Sequence, residues 1–511
     1  MISPLFGFNY SSIPSLDEIK LSIERDYYKL HPVQWCEDKL SRPLWSIQRE
    51  IMISVLNNRR TAVKSCHGAG KSFNAATIVS WWMDCHKPGT AKVITTAPSA
   101  TQVKAILWQE ISRAHSKGKL FGRLNQTEWW VEIIENGSTR EELLAFGRKP
   151  NDYDPSSFQG VHEENVLVVV DEAGGVSGTL WAGIEGLLSN ENCRLLCIGH
   201  PDDINSEFYK ECKPGSGSNV ITIPYDKTPN FTGEIISPNP LIDAKIKSKL
   251  LHPQWVEEKL KRWGIDNPYY ISRVLAEFPE NNSENLIPIS WIRKAQERFN
   301  ENPILSENYN ASINELGVDV GEGGNKNTIA HRLGGWVKII HKDSEPDTMK
   351  TLDNVLDKLL LTGATDCKVD SIGVGVGLVN RAKQIANDQE GKIKNPDLAR
   401  RAKLIRGVKV GEKAEDSQNY INLRAEGYVG LRDLFQEGLI DIDPTDDDLA
   451  AQLSSIKGKR SAGRYQIMSK QEMKSKGLES PDDADSVMLA FLRVKRKKKV
   501  KLVWGRKRSK V

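Results

Sequence analysis

The chain has 511 residues, 39% hydrophobic and 27% charged, enough for a sizeable core and for two to four domains of roughly 100–200 residues. No apolar run approaches the ~18–20 residues of a membrane span, and the first residues lack the basic and apolar segments of a secretory leader. Neither a membrane protein nor a secreted one is expected. Lys and Arg outnumber Asp and Glu by 71 to 67, but eleven of those cations lie between Arg493 and Val511. The remainder is mildly acidic, 60 against 67, and the dense basic tail suits contact with nucleic acid or another polyanion. The seven cysteines (36, 66, 85, 193, 197, 212 and 367) are scattered without zinc-ligand spacing, so reduced thiols are expected.

In chain order, residues 60–65, 91–97, 165–171 and 194–199 read as buried strands separated by helical patterns. That alternation predicts a parallel sheet covered on both faces. Residues 214–240 are rich in Gly, Ser, Pro and Asn and read as loop. Residues 241–280 read as helical, with Trp255, Leu260 and Trp263 at repeating apolar positions. A second alternating block begins near residue 312. Residues 314–320 read as a strand, 329–333 and 336–341 as a hairpin, and 350–361 as a helix. Residues 366–370 follow as a strand and 377–386 as a helix. The predicted fold class is α/β: an ATPase-type domain over 1–230, a small helical linker over 231–300, a second α/β domain over 301–494, and a basic tail over 495–511.

The segment from Val63 to Ser72 places a Gly-rich turn between a predicted strand and a predicted helix. Backbone N–H groups at such a turn and helix start point at phosphates. Gly68, Gly70, Lys71 and Ser72 match the phosphate-loop pattern, with Lys71 reaching the β/γ-phosphates and the Ser72 hydroxyl ligating Mg²⁺. Ser65 stands where the pattern begins with Gly. Downstream, the apolar run Val166–Val170 ends in Asp171 and Glu172, two carboxylates at the edge where open α/β sheets bind ligands. Asp171 is expected to hold Mg²⁺ and Glu172 to activate the attacking water. The first domain is therefore predicted to hydrolyse a nucleoside triphosphate. Gln48, upstream of the loop, could pair with an adenine edge. The segment Gly199, His200 and Pro201 ends the next strand near a γ-phosphate sensor position.

The second domain carries acids at separated points: Asp319 and Asp370 at strand ends, and Asp482, Asp483 and Asp485 at the start of a late apolar helix. That order is the one found in RNase H-like nucleases, where carboxylates hold two Mg²⁺ or Mn²⁺ roughly 3.5–4 Å apart. Hard cations with oxygen ligands account for Asp where softer metals would take His or Cys. Asp483 is expected to serve only as a helix cap or solvated residue.

A phosphate-loop ATPase of RecA/ASCE type, a helical linker and an RNase H-like nuclease together resemble the large subunit of a tailed-bacteriophage terminase. The likeness runs from Pro43 to Val494. It includes Trp45–Gln48, Lys64–Ser72, Phe158–Gly160, Gly199–Pro201, Tyr269–Phe278, Asn422–Glu426 and Ser480–Asp485. The resemblance implies a motor assembled as a ring, commonly of five, on the portal vertex of a procapsid in the host cytoplasm. Such a motor works with a small terminase subunit, translocates double-stranded viral DNA using ATP, and cuts concatemers. It implies Gln48 at adenine, Lys71 and Ser72 at phosphate and Mg²⁺, Asp171 and Glu172 as metal-binding and catalytic acids, and Gly199–Pro201 as the coupling motif. Asp319, Asp370 and Asp485 would bind the nuclease metals, with Asp482 as a fourth acid.

The chain departs from the family at several points. Ser65 replaces the first Gly, and Lys64 takes a position where many relatives place a basic residue, so phosphate contacts are expected to extend there. His200 stands where relatives often have Asn. Gln159 stands where some carry an arginine that enters a neighbour's ATP site, with Arg148 as a substitute. The basic tail is expected to contact the portal or DNA, and unchanged packaging after truncation at Arg493 would exclude that. Two rivals are a helicase-type ATPase with an attached nuclease and a portal-docking factor with a vestigial nuclease. The acidic strand ends in place of a second motor domain argue against the first, and the intact Asp319, Asp370 and Asp485 against the second.

Overall fold

The computed structural model describes residues 15–135, 138–148, 163–280, 285–321, 326–461, 463–475 and 480–493. Phe158, Gln159, Gly160 and the tail beyond Arg493 lie outside the described residues. The chain divides into two units, the first spanning 1–283 and 288–297, the second 284–287, 298–476 and 480–511.

The strands of the first unit are β1 (Arg60–Ser65), β2 (Ala91–Thr96), β3 (Arg123–Asn125), β4 (Glu128–Glu135), β5 (Ser138–Gly147), β6 (Asn165–Val170), β7 (Cys193–Gly199) and β8 (Asn219–Ile223). They form one sheet in the order β3-β4-β5-β2-β6-β7-β1-β8. From β5 to β8 all neighbours are parallel, while β3, β4 and β5 pair antiparallel at one edge. The order β8-β1-β7-β6-β2 is that of the ASCE class of phosphate-loop ATPases. Val166 to Val170 in β6 are at most 1% exposed, as a strand flanked by neighbours and covered on both faces must be. Each such aliphatic side chain contributes roughly 1.5–3 kcal/mol on burial, so this strand firmly anchors the acid pair at its end. The helix Lys71–Cys85 is buried on nearly every face, and its Ala75, Ala76 and Met83 favour the helical state.

Two sequence expectations change here. The stretch 214–240 contains β8, whose Val220–Ile223 pairs with β1; the Gly and Ser before it mask a short β-branched strand. Of the linker expected over 231–300, residues 231–280 and 288–297 group with the first unit and 298–300 with the second. The helices Pro240–Lys247, Pro253–Trp263 and Pro268–Arg273 each start on proline behind a capping Asn239, His252 or Asn267. The backbone ties them to the phosphate loop: Leu251 N–H donates to Gly68 O at 3.2 Å and His67 N–H to Arg273 O at 2.7 Å.

The second unit is built on β9 (Tyr309–Asp319), β10 (Asn327–Gly334), β11 (Trp336–Asp343), β12 (Asp366–Asp370), β13 (Ile405–Val408) and β14 (Asp441–Ile442), in the order β13-β12-β9-β10-β11-β14. An antiparallel meander β9-β10-β11 with β12 and β13 added parallel beside β9 is the RNase H-like arrangement. A hairpin of β15 (Gly458–Ser461) and β16 (Arg464–Ile467) follows. The helix Asp482–Phe491, buried along its whole length, lies directly on β9. Gly317 permits that approach, since a Cβ there would come within 2.0 Å of Ser486 O and 2.4 Å of Ala490 N. Gly317→Ala is expected to destabilise this unit by about 3 kcal/mol in denaturant unfolding. Gly430→Ala, where an added Cβ meets nothing within 4 Å, should be neutral or stabilising by up to about 1 kcal/mol.

Candidate functional site

Because β1, β6 and β7 run parallel, the residues that follow them emerge at one edge of the first sheet. After β1 the loop turns through Gly68 and Gly70 at φ +66° and +76°, a left-handed backbone that suits glycine, and the helix begins at Lys71. A Cβ at Gly70 would also come within 3.0 Å of Gln48 Nε2. Lys71 Nζ lies 3.0 Å from His200 Nε2 and 3.8 Å from Glu172 Oε1. His200 Nδ1 is 2.9 Å from Ser65 O, so Nδ1–H donates to that carbonyl and Nε2 presents its lone pair to the Lys71 ammonium. Burial first, and then the charges of Arg273 and Lys71, hold His200 well below the ordinary histidine range and therefore neutral.

Ser72 Oγ donates to Asp171 Oδ2 at 3.0 Å, and Glu172 N–H donates to Asp171 Oδ1 at 3.0 Å. Burial and the Glu172 charge push Asp171 up to about 6, with Lys71 and Ser72 pulling the other way. For Glu172, burial is outweighed by the charges of Lys71, Arg273 and Arg293, which keep it below the ordinary carboxylate range. Glu172 sits at φ +46°, strained for a residue with a Cβ. A hydroxyl, two carboxylates and an ammonium thus converge at one sheet edge, with the glutamate ionised beside the lysine.

The other sequence candidates fall differently. Gln48 is buried under the loop and its carbonyl accepts from Asn74 Nδ2. Lys64 is turned to Glu277 Oε2 at 2.5 Å instead of to the loop. The Ser65 hydroxyl donates to Cys66 O, so its carbonyl toward His200 is the part that meets the site. Arg148 stacks on Phe146 at 4.8 Å.

In the second unit, the pairing of Val369 with Val318 sets Asp370 beside Asp319 at the ends of neighbouring parallel strands. Lys470 Nζ enters this group, 2.9 Å from Asp319 Oδ2, 3.0 Å from Asp485 Oδ2 and 3.8 Å from Asp482 Oδ1. Asp485 Oδ1 is fixed by Tyr428 Oη at 2.7 Å and by Arg424 Nη2 at 3.2 Å. Arg424, Lys470 and Tyr428 keep Asp485 ionised against its burial. Asp319 is pushed well up by burial and by Asp485 and Asp482, against the pull of Lys470. Burial raises Asp370 to about 6. Asp483, expected as a cap or solvated, is fully buried, ion-paired with Lys342 and bonded by Gln452 Nε2 at 3.1 Å.

Among the described residues no group of three or more Asp, Glu, His or Cys side chains stands ready to hold a metal ion. The ammonium of Lys470 occupies the space between the acids instead. The donors nevertheless fit a hard divalent cation, being carboxylate oxygens only. Asp482 Oδ1 is buried without a hydrogen bond, and positive charge already resides there. Sequence reasoning missed Lys470 and Tyr428, and it singled out the stretch Asn422–Glu426 without a role for Arg424. Lys470 lies in a short polar helix, Lys470–Ser475, with no pattern around it.

A phosphate-loop ATPase fold followed by an RNase H-like fold, each with acids gathered at strand ends, defines the class of this protein. No family model matches the chain. A curated relative, "Probable terminase, large subunit" of Enterobacteria phage P7, is 25% identical over 469 residues, 88% of each chain. Over that span the chain is similar to a phage terminase large subunit. Among solved structures, the large terminase of a thermophilic bacteriophage in complex with ADP is 11% identical, covering 88% of this chain and 98% of that one at a TM-score of 0.39. The nuclease domain of the large terminase subunit gp2 of bacterial virus Sf6 is 20% identical, with 40% and 98% covered at a TM-score of 0.33. The fold assignment rests on the strand orders of the two sheets.

Removing the Lys470 ammonium leaves Asp319, Asp482 and Asp485 facing one another. Breaking a buried ion cluster costs roughly 3–5 kcal/mol, less here because Lys470 is 36% exposed. Lys470→Ala is expected to lower the melting temperature of this unit by about 5 °C near pH 7.5. Mn²⁺ should raise it more in the variant than in the wild type; equal shifts would contradict the role of Lys470 as counter-cation.

Proposed function

We propose that the chain is the ATP-hydrolysing and DNA-cutting subunit of a phage packaging motor. The observation that carries this reading is the presence, in one chain, of an ATPase-type site at Lys71, Ser72, Asp171 and Glu172 and a separate acidic site on an RNase H-like sheet. The P7 relative spans both. In the first site Lys71 would leave His200 for the β/γ-phosphates, Ser72 and Asp171 would hold Mg²⁺, and the ionised Glu172 would take the proton of the attacking water. The Nε2 lone pair of His200, released from Lys71, would accept from a water and not from phosphate, so a coupling role for Gly199–Pro201 would run through that water. Gln48 would read the adenine, and Ser65, Gly68 and Gly70 would shape the phosphate cradle. Lys64, held by Glu277, would have to exchange that partner to reach phosphate.

In the second site Asp319, Asp370 and Asp485 would hold divalent cations, with Asp482 as a further ligand. Bound there, two Mg²⁺ or Mn²⁺ supply an activated water and a clamp on the leaving oxygen. Arg424 and Tyr428 would fix Asp485 so that Oδ2 alone faces the site. The substrate would be concatemeric double-stranded viral DNA. The partners would be the portal protein, a small terminase subunit and further copies of this chain in a ring of five, assembled in the host cytoplasm on the procapsid vertex. No described helix is long and apolar enough to cross a membrane.

Plasmid cleavage tests the reading. Wild-type protein should cut in Mn²⁺ or Mg²⁺, and Asp370→Asn should lower cutting by at least about 100-fold. Since Asp370 is raised to about 6, it binds a proton as pH falls through 6, and that proton competes with metal. At low fixed Mn²⁺, cleavage should drop between pH 7 and 5 and return when Mn²⁺ is increased. Metal-independent cutting, equal in wild type and variant, would overturn the nuclease reading.

A further inference from the structure

Arg293, on the helix Ile289–Arg298, belongs to no motif, yet its side chain is only 7% exposed. Its Nη2 donates to Gly174 O at 2.9 Å and its Nε lies 3.2 Å from Asp202 Oδ2, itself 1% exposed. Gly174 stands two residues after Glu172, and Asp202 two residues after His200. One guanidinium thus spans the turns that follow β6 and β7.

Those turns are pressed together. A Cβ on Gly174 would lie 2.9 Å from Asp202 Oδ1 and 3.3 Å from His200 O, and one on Gly175 would meet Arg293 Nη1 and Pro98 Cγ at 2.4 Å each. A Cβ on Gly199 would come within 3.0 Å of Ala173 N. The turn after β6 closes through Gly175 N–H to Glu172 O at 2.9 Å, and Glu172 holds its left-handed backbone there. Such a conformation persists only where the surroundings enforce it. A buried arginine–aspartate pair is itself a poor source of stability, because desolvation offsets much of its attraction. Its use here is geometric.

We propose that Arg293 is a positioning residue for ATP hydrolysis, clamping the Glu172 turn to the His200 turn so that both side chains keep their places around Lys71. The proposal rests on the ATPase reading above. Its partners are the two turns and, at 3.9 Å, Glu297 on its own helix, not the phosphate loop, so turnover should depend on it and nucleotide affinity should not. It acts through Glu172, so once Glu172 is disabled its loss should cost nothing more.

The test uses the full chain with Mg²⁺, measuring ATP hydrolysis under steady-state and single-turnover conditions and binding of a fluorescent mant-ATP. The variants are Arg293→Lys, the double variant Arg293→Ala with Asp202→Ala, Glu172→Gln, and Glu172→Gln with Arg293→Lys. The alanine pair removes Arg293 with the acid nearest to it, and Glu297, 3.9 Å from Arg293 Nη1 and already raised to about 6 by burial, can take up a proton when its cation is lost. Expected are kcat losses of roughly 10–100-fold for Arg293→Lys and for the alanine pair, with KM and mant-ATP affinity within about 3-fold. Glu172→Gln with Arg293→Lys should be no slower than Glu172→Gln alone. Losses that multiply, or an mant-ATP affinity that falls in step with kcat, overturn the positioning role. An active wild type with unaffected Arg293 variants overturns the inference alone, and a wild type without ATPase activity overturns the ATPase reading and the inference with it.

Discussion

Both sites depend on one constraint: carboxylates buried at the ends of strands must be balanced by positive charge. In the first unit Lys71 meets Glu172 and the lone pair of His200. In the second, Lys470 stands among Asp319, Asp482 and Asp485. Neither cluster could stay ionised in a buried position without its ammonium, since isolated buried carboxylates take up protons instead. On the proposed reading, Lys470 would give way to a divalent cation and Lys71 would turn to phosphate. The chemistry depends on which acids remain ionised: Glu172 and Asp485 sit low, while Asp171, Asp319 and Asp370 sit high. The high ones are the first to take up protons as pH falls, and a divalent cation would compete with those protons.

The folds supply the convergence. In the first sheet, parallel β1, β6 and β7 deliver the phosphate loop, the acid pair and His200 to one edge, with buried β6 as the rigid centre. In the second, Asp319 and Asp370 end adjacent parallel strands, and a wholly buried helix brings Asp482 and Asp485 to them across Gly317. Close backbone approach, at Gly317, Gly199 and Gly174, sets the acids where bulkier residues would hold the elements apart. Sites on strand ends and buried helices gain precision from the rigidity of their supports.

Much of this was legible in the sequence because apolar runs and Gly-rich turns are local signals. Strands β1, β6 and β12 lie where periodicity put them, and Lys71, Ser72, Asp171 and Glu172 do meet. Other features were hidden for identifiable reasons. Strand β8 is five residues long and follows a Gly/Ser-rich turn. Strand β5 is exposed over its first four residues and buried over its last four, so its burial shows no alternation. Lys470, Tyr428 and Arg293 each act through tertiary contact on residues distant in the chain, and no local pattern marks such a partner; Arg424 lies in the family-like stretch Asn422–Glu426, but its partner Asp485 was not legible there. Asp483 shows the converse: beside two candidate ligands in sequence, it points to Lys342 and away from Lys470.

One chain thus carries two chemically separate sites, each kept by its own lysine and acids. The most direct measurement is ATP hydrolysis and plasmid cleavage on the same preparations of wild type, Lys71→Ala and Asp370→Asn. Separate sites predict that Lys71→Ala abolishes hydrolysis and still cuts, while Asp370→Asn hydrolyses ATP and does not cut. Loss of both activities in either variant, with folding intact by thermal unfolding, would contradict that separation.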